Sequence, residues 1–489
     1  MNDATGFPAP AYMRTVLAPL FHGYQRYFRE QLLAVHHAHG IMLRERGWLT
    51  RAQTDAIFAA LADATARTAN KALEYTGEHE DYFFWLEAQL ADRLGGDLAG
   101  RLHTGRSRND IDHTVLRMVM RERLLSLLGQ LHHLVSTLIR RAEENTDTLV
   151  LAYTHNQPAQ PTTFAHYLGA LIEALLRDST RLLRAYAIVD RCPLGAAAIT
   201  TSGFKLDRAR TAELLGFSAV LENSYGCIAG TDHIAETYSA LKILLLGLGR
   251  FVQDLNTWSS FEVRHLRIPD AFVQISSIMP QKRNPVPIEH LRLLCSLAAG
   301  RAETVLLTLH NTPFTDMNDS EGPVHEAGYE AFDTVARVLE LLEAMIAVVG
   351  IDQERVRAHI EQACATITEL ADSLVRREGI PFRQSHEIAA RIARQIIAQG
   401  IPLSALPMAT FIDAFAGVTE HAPETSEAEL RTICSPEHFV SVRDMFGGPA
   451  RMRESLESYK LDLLAQEERA AVHRACIDTA ARLRHAELS

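Results

Sequence analysis

Proline is absent from long parts of the sequence, and this marks where long helices can run. No proline occurs between Pro19 and Pro158, between Pro193 and Pro269, or after Pro449. An interior proline costs a helix about 3 kcal/mol, so these stretches lack the strongest helix breaker. The absence predicts long, uninterrupted helices in each of them.

Cysteine is scarce, at six residues among 489, and no two cysteines form a CxxC pair. This spacing excludes a disulfide framework or a zinc ribbon and favours a reducing compartment. No apolar run reaches the ~18 residues that a membrane span needs, and the first twenty residues lack the features of a signal peptide. We therefore expect a cytoplasmic protein whose cysteines are mostly buried thiols.

Basic residues are fewer than acidic ones: 49 Lys and Arg against 60 Asp and Glu give a formal net charge of -11. An acidic surface repels phosphate backbones and anionic lipid, so neither nucleic acid nor a membrane is expected as a partner. Walker and dinucleotide glycine patterns are absent, and we expect no nucleotide cofactor. The remaining composition is that of a folded globular protein. The length of 489 residues leaves room for two to four domains, at ~100 to 200 residues each.

Apolar residues recur every three to four positions in five long stretches, as bundle helices require. No strand pattern intervenes, which predicts an all-α fold with an elongated central bundle. We expect three helical domains: an N-terminal domain (1–106), a central long-helix domain (107–358) and a C-terminal domain (359–489). The five predicted helices cover residues 114–144, 162–187, 231–262, 289–310 and 326–349.

Three polar loops separate these helices: HTGRSRND (103–110), THNQPAQP (154–161) and SSIMPQKRNP (276–285). They combine hydroxyls, amides and cations that suit a carboxylate or phosphate ligand. The first also precedes a helix, whose N-terminus favours anions. Taken singly, each loop also suits a surface turn, a helix cap or a structural histidine.

In this order, HTGRSRND, the TH-Q-AQP pattern and S-S-x-M-P-x-K-x-N-P resemble the fumarase/aspartase superfamily. TGRSRND, PLG followed by Asp207 and Arg208, and SSxMPQKxNP are similar to its argininosuccinate lyase branch. The resemblance spans roughly residues 75–350, with weaker similarity at GGPA (447–450). It implies an anti-elimination that releases fumarate from an N-substituted aspartate. It also implies a homotetramer whose central helices share one bundle and whose sites are each built from three chains.

The resemblance further implies roles for individual residues. Ser276 matches the catalytic base, and Lys282 is the cation that would stabilise its alkoxide. His155 matches a histidine that pairs with a glutamate, here Glu289, to orient the substrate or to move a proton to the leaving nitrogen. The positions that would hold substrate carboxylates or developing charge are Ser107, Arg108, Asn109, Thr154, Gln157, Ser277, Met279 and Asn284.

Several positions depart from the argininosuccinate lyase pattern. Phe83 replaces the histidine of an EDxH motif, and Ile275 replaces the glycine before the serines. Asp316, Glu321 and Val324 stand where that branch carries Tyr, Gln and Lys to hold the arginine-like half of its substrate. Acidic groups there favour a diamine or another cationic amine, although solvated loop charges explain them equally well.

We therefore expect an N-substituted aspartate other than argininosuccinate, similar to the aminopolycarboxylate substrate of ethylenediamine-N,N′-disuccinate lyases, with the reverse addition of amines to fumarate. An authentic argininosuccinate lyase and a noncatalytic homologue are the alternatives. A metal enzyme is a third, suggested by His36, His37, His39, His132 and His133. Neighbouring histidines on a helix point in different directions, and no HExxH pair is present, so the sequence disfavours it.

Overall fold

The computed structural model describes residues 7–67 and 72–488. Residues 1–6, 68–71 and Ser489, which the predicted terminal domains include, lie outside the described residues. Helices make up most of the described chain, which confirms the predicted all-α class. In chain order they are α1 (Pro10–Tyr12), α2 (Ala18–Tyr27), α3 (Arg29–Glu45), α4 (Arg51–Ala66), α5 (Tyr82–Leu94), α6 (Gly96–Arg101), α7 (Arg108–Glu143), α8 (Phe164–Val189), α9 (Arg208–Leu214), α10 (Ser224–Ala229), α11 (Asp232–Ser259), α12 (Val286–Thr308), α13 (Glu326–Ile346), α14 (Gln353–Gln362), α15 (Ile367–Glu378), α16 (Phe382–Gln399), α17 (Met408–Ala416), α18 (Glu427–Ile433), α19 (Pro436–Ser441) and α20 (Met452–Leu488).

The five long helices predicted from apolar periodicity are α7, α8, α11, α12 and α13. Two of them begin before the predicted starts. α7 begins at Arg108, because Ser107 is the N-cap and its backbone N–H donates to the Asp110 side chain (2.9 Å). α12 begins at Val286, since Pro287 lies in the first turn, where its missing N–H costs no helical hydrogen bond.

α7 and α8 run antiparallel as the first two helices of the central bundle. The backbone N–H of Ala165 donates to the Asn145 carbonyl (3.3 Å), where α7 ends and α8 begins. Farther along, buried Arg121 pairs with buried Asp190 (2.8 Å), so α8 finishes beside the fourth turn of α7.

α11 runs parallel to α7 in the same bundle. Its first turn lies beside α7, since His233 Nδ1 is 3.1 Å from Arg117 Nη2. Its last turns lie beside the start of α8, because the Tyr167 hydroxyl donates to Asp254 (2.8 Å). The polar loop after α11 therefore lies at the end of the bundle opposite to the start of α7.

α12 and α13 complete the bundle as a second antiparallel pair. Arg301 of α12 pairs with Glu330 of α13 (2.9 Å). The Thr137 hydroxyl of α7 donates to Glu343 near the end of α13 (3.1 Å). α12 consequently runs back towards the start of α7, and the segment between α12 and α13 lies at that same end. We call this end the Ser107 end and the opposite one the Ser276 end.

Two large apolar cores hold these helices. One core runs through the N-terminal helices and the whole bundle, and it includes Met452, Leu456 and Leu463 of α20. The other lies among residues 364–434. The last helix, α20, therefore packs along α7 and α8. The boundaries of the three domains, after residues 106 and 358, stay a prediction. Within the described ranges, no helix has the length and apolar character needed to cross a bilayer.

Short strands, which the sequence did not predict, form four two-stranded ladders in the described chain. β1 pairs with β2 as a hairpin, β3 with β4 in parallel, and β5 with β8 and β6 with β7 antiparallel. They connect helices and frame polar loops. The strands are β1 (Leu149–Thr154), β2 (Gln157–Thr163), β3 (Arg191–Cys192), β4 (Ala219–Val220), β5 (Leu266–Arg267), β6 (Gln274–Ile275), β7 (Arg283–Asn284) and β8 (Gly350–Ile351).

Candidate active site

The serine loop, residues 276–282, is closed at its base by the ladder of β6 with β7. Gln274 pairs with Asn284 in this ladder, and the Asn284 amide also donates to the Gln274 carbonyl (3.1 Å). The Arg283 guanidinium holds the outer side through Asp270 and through the Ile268 carbonyl (2.9 Å). These contacts fix the two ends of the loop, whose residues 277–282 face solvent.

Ser276 lies at the start of this loop with its hydroxyl turned inward. Its Oγ accepts the backbone N–H of Met279 (3.1 Å) and, more weakly, that of Ile278 (3.4 Å). Two amide donors aimed at one oxygen lower the cost of a negative charge there. The Lys282 backbone N–H donates to the Met279 carbonyl (3.0 Å), which tightens the turn. The Lys282 ammonium makes no hydrogen bond or ion pair with the residues that the structure describes.

A cleft of about 840 Å³ lies beside the serine loop. Its charged lining is mainly cationic, because Arg264, Arg267, Lys282 and Arg283 outnumber Asp352. Arg267 pairs with that aspartate at 3.4 Å. Several cations near a serine whose oxygen accepts two amide hydrogen bonds suit a substrate with several carboxylates.

The THNQ motif forms the tip of the β1–β2 hairpin, so this polar segment is a turn between strands and not a loop that leads directly into a helix. His155 and Asn156 both have positive φ, at 52° and 58°. A type I′ turn requires that conformation at both central residues, and Asn tolerates it well. Thr154 and Gln157 face each other across the turn. All four residues are exposed.

Glu289, the predicted partner of His155, lies in the first turn of α12 and is exposed. Within the described part of one chain, no ion pair or hydrogen bond joins the two side chains. Ser277 and Met279 are exposed on the serine loop. The structure thus places His155, Glu289 and the serine loop at the Ser276 end, each open to solvent.

Ser107, Arg108 and Asn109 lie together at the first turn of α7. The Arg108 guanidinium is held by Glu80 (3.1 Å) and Asp81 (2.6 Å). Burial alone lowers the pKa of Arg108, but the hydrogen bond and charge of Asp81, with those of Glu80, raise it above its ordinary value. The Asn109 amide donates to a backbone carbonyl (3.1 Å). This group is ordered by contacts within its own chain.

Asp110 is a site-forming residue that the sequence analysis did not single out. Its buried carboxylate accepts three backbone N–H groups, from Ser107 (2.9 Å), Gly195 (2.7 Å) and Ala197 (3.0 Å). Burial raises its pKa to about 6, against the opposing effect of these hydrogen bonds. It ties the start of α7 to the PLG segment. An aspartate three residues after an N-cap serine is the signal that predicts this kind of cap.

The PLG segment and the downstream Asp-Arg pair, two parts of the motif set, also contact each other. Arg208 Nε donates to the Leu194 carbonyl (3.1 Å) and its Nη2 to the Leu221 carbonyl (2.8 Å). Gly195 has a φ of +92°, and a Cβ there would lie 2.7 Å from Arg208 Cγ. Asp207 caps α9. These motif residues have structural roles: they position the Ser107 end.

The Ser107 group and the serine loop are far apart within one chain. α7 has 36 residues, which at 1.5 Å per residue is a length of about 50 Å. Ser107 precedes this helix, whereas the hairpin that bears His155 and the serine loop lie beyond its other end. The structure therefore brings together two of the three predicted loops at one end of the bundle and leaves the third at the other.

The segment that departs from the family pattern lies at the Ser107 end. Asp316 Oδ1 is 3.7 Å from Nε2 of buried His113 on α7. Glu321 is partly buried, and burial together with the charge of Asp316 raises its pKa. Val324 is exposed. The acidic residues of this segment thus face α7 just after the Ser107 group.

The clustered histidines of the sequence have structural contacts. His36 Nδ1 is 2.8 Å from Arg106 Nη2, His39 Nε2 is 2.9 Å from the Thr104 carbonyl oxygen, and His132 bonds to a buried serine. No three His, Cys, Asp or Glu side chains of the described ranges group as metal ligands would. Five of the six cysteines are buried, as predicted, and Cys476 is exposed.

The long-helix bundle, its serine loop and the polar start of α7 define an all-α lyase of the fumarase/aspartase superfamily. The chain belongs to the lyase family, which it matches over residues 29–300, and it carries the argininosuccinate lyase C-terminal family at residues 364–441. It is thus a member of the argininosuccinate lyase-like branch and a fumarate-releasing carbon–nitrogen lyase.

Individual relatives agree with this assignment. The chain is 51% identical over 471 residues to "Argininosuccinate lyase 2" of Agrobacterium fabrum, which covers 96% of this chain and 94% of that protein. It is 35% identical to "Argininosuccinate lyase 1" of Shouchella clausii, with 88% and 86% covered. A crystal structure of EDDS lyase in complex with formate superposes with a TM-score of 0.86 at 28% identity, covering 100% of this chain and 97% of that one.

Proposed function

We propose that this enzyme removes fumarate from an N-substituted aspartate by anti-elimination. The substrate is an aminopolycarboxylate such as ethylenediamine-N,N′-disuccinate, and the reverse reaction adds an amine to fumarate. The observation that carries this proposal is the position of Ser276, whose Oγ accepts two loop amides beside a cleft lined by cations. The similarity to EDDS lyase supports the choice of substrate class.

In this mechanism Ser276, as the alkoxide, takes a proton from the carbon next to a substrate carboxylate. The electron pair of that C–H bond moves into the carboxylate and forms a doubly charged aci-carboxylate. Lys282 and Asn284, with donors of Ser277 and of the Met279 backbone, stabilise the added charge. The electrons then return to form the C=C bond of fumarate as the C–N bond breaks.

The leaving nitrogen departs with the electron pair of the C–N bond and accepts one proton to become a neutral amine. His155, paired with Glu289 once the site is assembled, orients the substrate or moves this proton. Thr154 and Gln157 flank that histidine on the hairpin and bind a substrate carboxylate. Ser107, Arg108 and Asn109 bind the other carboxylates at the start of α7, where the helix N-terminus favours anions.

A complete site of this kind needs more than one chain. The Ser107 group and the serine loop are separated by the length of α7, about 50 Å, so only another copy can supply the missing loop. We propose a homotetramer in which three chains contribute to each site. Exposed apolar side chains on two bundle helices offer a surface for the contact: Ile243, Leu246, Leu293, Leu297 and Leu307.

Argininosuccinate is the alternative substrate, giving arginine and fumarate. The names of the relatives from Agrobacterium fabrum and Shouchella clausii favour it. Asp316 and Glu321 argue against argininosuccinate, because these acidic residues replace neutral side chains in the segment expected to hold the arginine half.

Fumarate release followed by ultraviolet absorbance tests these proposals. The purified protein is given ethylenediamine-N,N′-disuccinate, argininosuccinate, aspartate and adenylosuccinate in separate reactions. We expect release from ethylenediamine-N,N′-disuccinate. Release chiefly from argininosuccinate would establish the alternative, and release from aspartate or adenylosuccinate alone would contradict both substrates.

A further inference from the structure

Two histidine rings meet between α14 and the strand that leads to the serine loop. His265, directly before β5, is fully buried, and its Nε2 lies 2.9 Å from Nδ1 of His359 on α14. This hydrogen bond forms when one of the two facing nitrogens carries a proton and the other does not. His265 Nδ1 is buried without a hydrogen-bond partner among the described residues. Within those residues, His359 is therefore the hydrogen-bond partner of the His265 ring.

Both rings are held in the neutral state that this hydrogen bond requires. Burial, with the positive charge of Arg355 nearby, lowers the pKa of His359. Burial lowers the pKa of His265 to about 4, and His359 and Arg355 add to this effect. A neutral pair makes a directional hydrogen bond without the cost of a buried charge.

The backbone around His265 is also tied to α14. The Asp352 N–H, directly before this helix, donates to the His265 carbonyl (2.8 Å), and β5 pairs with β8. The Arg355 guanidinium of α14 donates to the Glu262 carbonyl (3.0 Å). The start of α14 is therefore fixed to the segment that precedes the serine loop.

The same helix holds the hairpin that bears His155. The Gln353 side chain donates to the Leu149 carbonyl (3.0 Å) and accepts the Leu149 N–H (3.3 Å) where β1 begins. α14 and β1 also share a small apolar core. Two residues before His155, the ring centroid of Tyr153 lies 6.0 Å from that of His265. α14 and His265 together therefore contact the hairpin along its first strand.

The anchor of the serine loop lies three residues after His265. The Ile268 carbonyl, next to β5, accepts a hydrogen bond from the Arg283 guanidinium that holds the loop (2.9 Å). A shift of His265 thus moves the anchor of the serine loop, and a shift of α14 moves the hairpin. The hydrogen bond between His265 and His359 joins these two parts of the site.

We propose that His265 and His359 are positioning residues, whose hydrogen bond keeps the His155 hairpin and the serine loop at a fixed distance from each other. Neither ring is catalytic, because each acts through the loops that carry His155 and Ser276. Small displacements of catalytic groups lower a reaction rate strongly. This inference rests on the proposed function, which gives the two loops their roles.

Hydrogen exchange of the intact chain tests the positioning without relying on activity. His359→Phe removes the partner of His265 Nε2, whereas His359→Gln keeps an amide that can donate or accept there. We expect residues 149–163 and 266–284 to exchange roughly tenfold faster in His359→Phe and close to normally in His359→Gln. α16 is the internal control, because it belongs to the other apolar core.

Fumarate release tests the catalytic consequence, with ethylenediamine-N,N′-disuccinate and argininosuccinate as separate substrates. We expect His359→Phe to lower kcat roughly tenfold and His359→Gln to restore it to within about threefold of the intact enzyme. Ile388→Ala is the matched control for lost stability, since Ile388 is fully buried in the other apolar core. Its kcat should stay close to that of the intact enzyme.

Faster exchange of both loops in His359→Phe supports the inference, and unchanged exchange in either loop overturns it. A kcat loss as large in Ile388→Ala as in His359→Phe, or no recovery in His359→Gln, would overturn it as well, because the pair would then contribute only to general stability. If the intact protein releases fumarate from neither substrate, the proposed function fails for these substrates, and the exchange of the two loops alone decides about the histidine pair.

Discussion

Ser107 and Ser276 lie at opposite ends of the bundle of a single chain, separated by the length of α7. If both belong to one site, as we propose, each site combines different copies. An oligomer that mixes Ser276→Ala chains with Asn109→Ala chains then contains some sites in which neither substitution is present.

We therefore expect each variant alone to be inactive and the co-expressed mixture to recover a measurable part of the wild-type rate. Fumarate release from hetero-oligomers, purified through two different tags, measures this. The control is an oligomer of chains that carry both substitutions, because every one of its sites then contains both defects. Fumarate release from the hetero-oligomers that is no faster than from either variant alone would contradict a shared site.

Ser276→Ala should lower kcat by roughly a thousandfold or more, because it removes the base from the proposed mechanism. Folding should be unaffected, since Oγ accepts hydrogen bonds only from two amides of its own exposed loop. Steady-state fumarate release and a thermal melt measure the two effects. Ser296→Ala is the matched control, because Ser296 is exposed on α12 and its hydroxyl donates to its own helix. A wild-type rate in the Ser276 variant would remove this residue from the mechanism.

Asp110→Ala should destabilise the protein by about 2–4 kcal/mol, because three backbone N–H groups lose a buried acceptor. The midpoint of urea unfolding measures the change. Asp97→Ala is the control, since Asp97 is exposed and bonds to Arg101 on its own helix, and we expect about 0.5 kcal/mol or less there. Equal midpoints for the two variants would show that Asp110 does not anchor the PLG segment.

Stability should fall as the pH falls from about 6.5 to about 4. Burial, with His359 and Arg355 nearby, lowers the pKa of His265 to about 4, whereas the unfolded chain titrates near 6.5. Between these values the unfolded state binds more protons than the folded state, so the free energy of unfolding rises with pH. The contribution of His265 is complete above about 6.5 and is lost below about 4.

A single histidine of this kind contributes roughly 2–3 kcal/mol over that interval. His265→Gln should flatten the pH dependence of urea unfolding between pH 4 and 6.5 by about this amount. His290→Gln, at an exposed position of α12, should leave the pH dependence as it is in the wild type. A wild-type slope in the His265 variant would contradict the buried, neutral state of this side chain.

Much of the site was predictable because its signals are local. Ser107 followed by Asp110 is a capping pattern within four residues, and it coincides with the start of α7. The serine loop contains Pro280 and is followed by Pro285, and its amides reach Ser276 from two and three residues away. The hairpin was not predicted, since β2 contains two prolines and few β-branched residues, and its formation depends on pairing with the apolar strand before it.

By itself the sequence determined the helical class, the positions of the long helices and the composition of the three polar loops. Proline placement and apolar periodicity act over a few residues, so they can be read without knowing the fold. Only the tertiary structure decided that Ser107 and Ser276 lie at opposite ends, and that His113 of α7 lies 3.7 Å from Asp316. These relationships depend on the direction of each helix and on contacts between residues far apart in the chain, which no local pattern specifies.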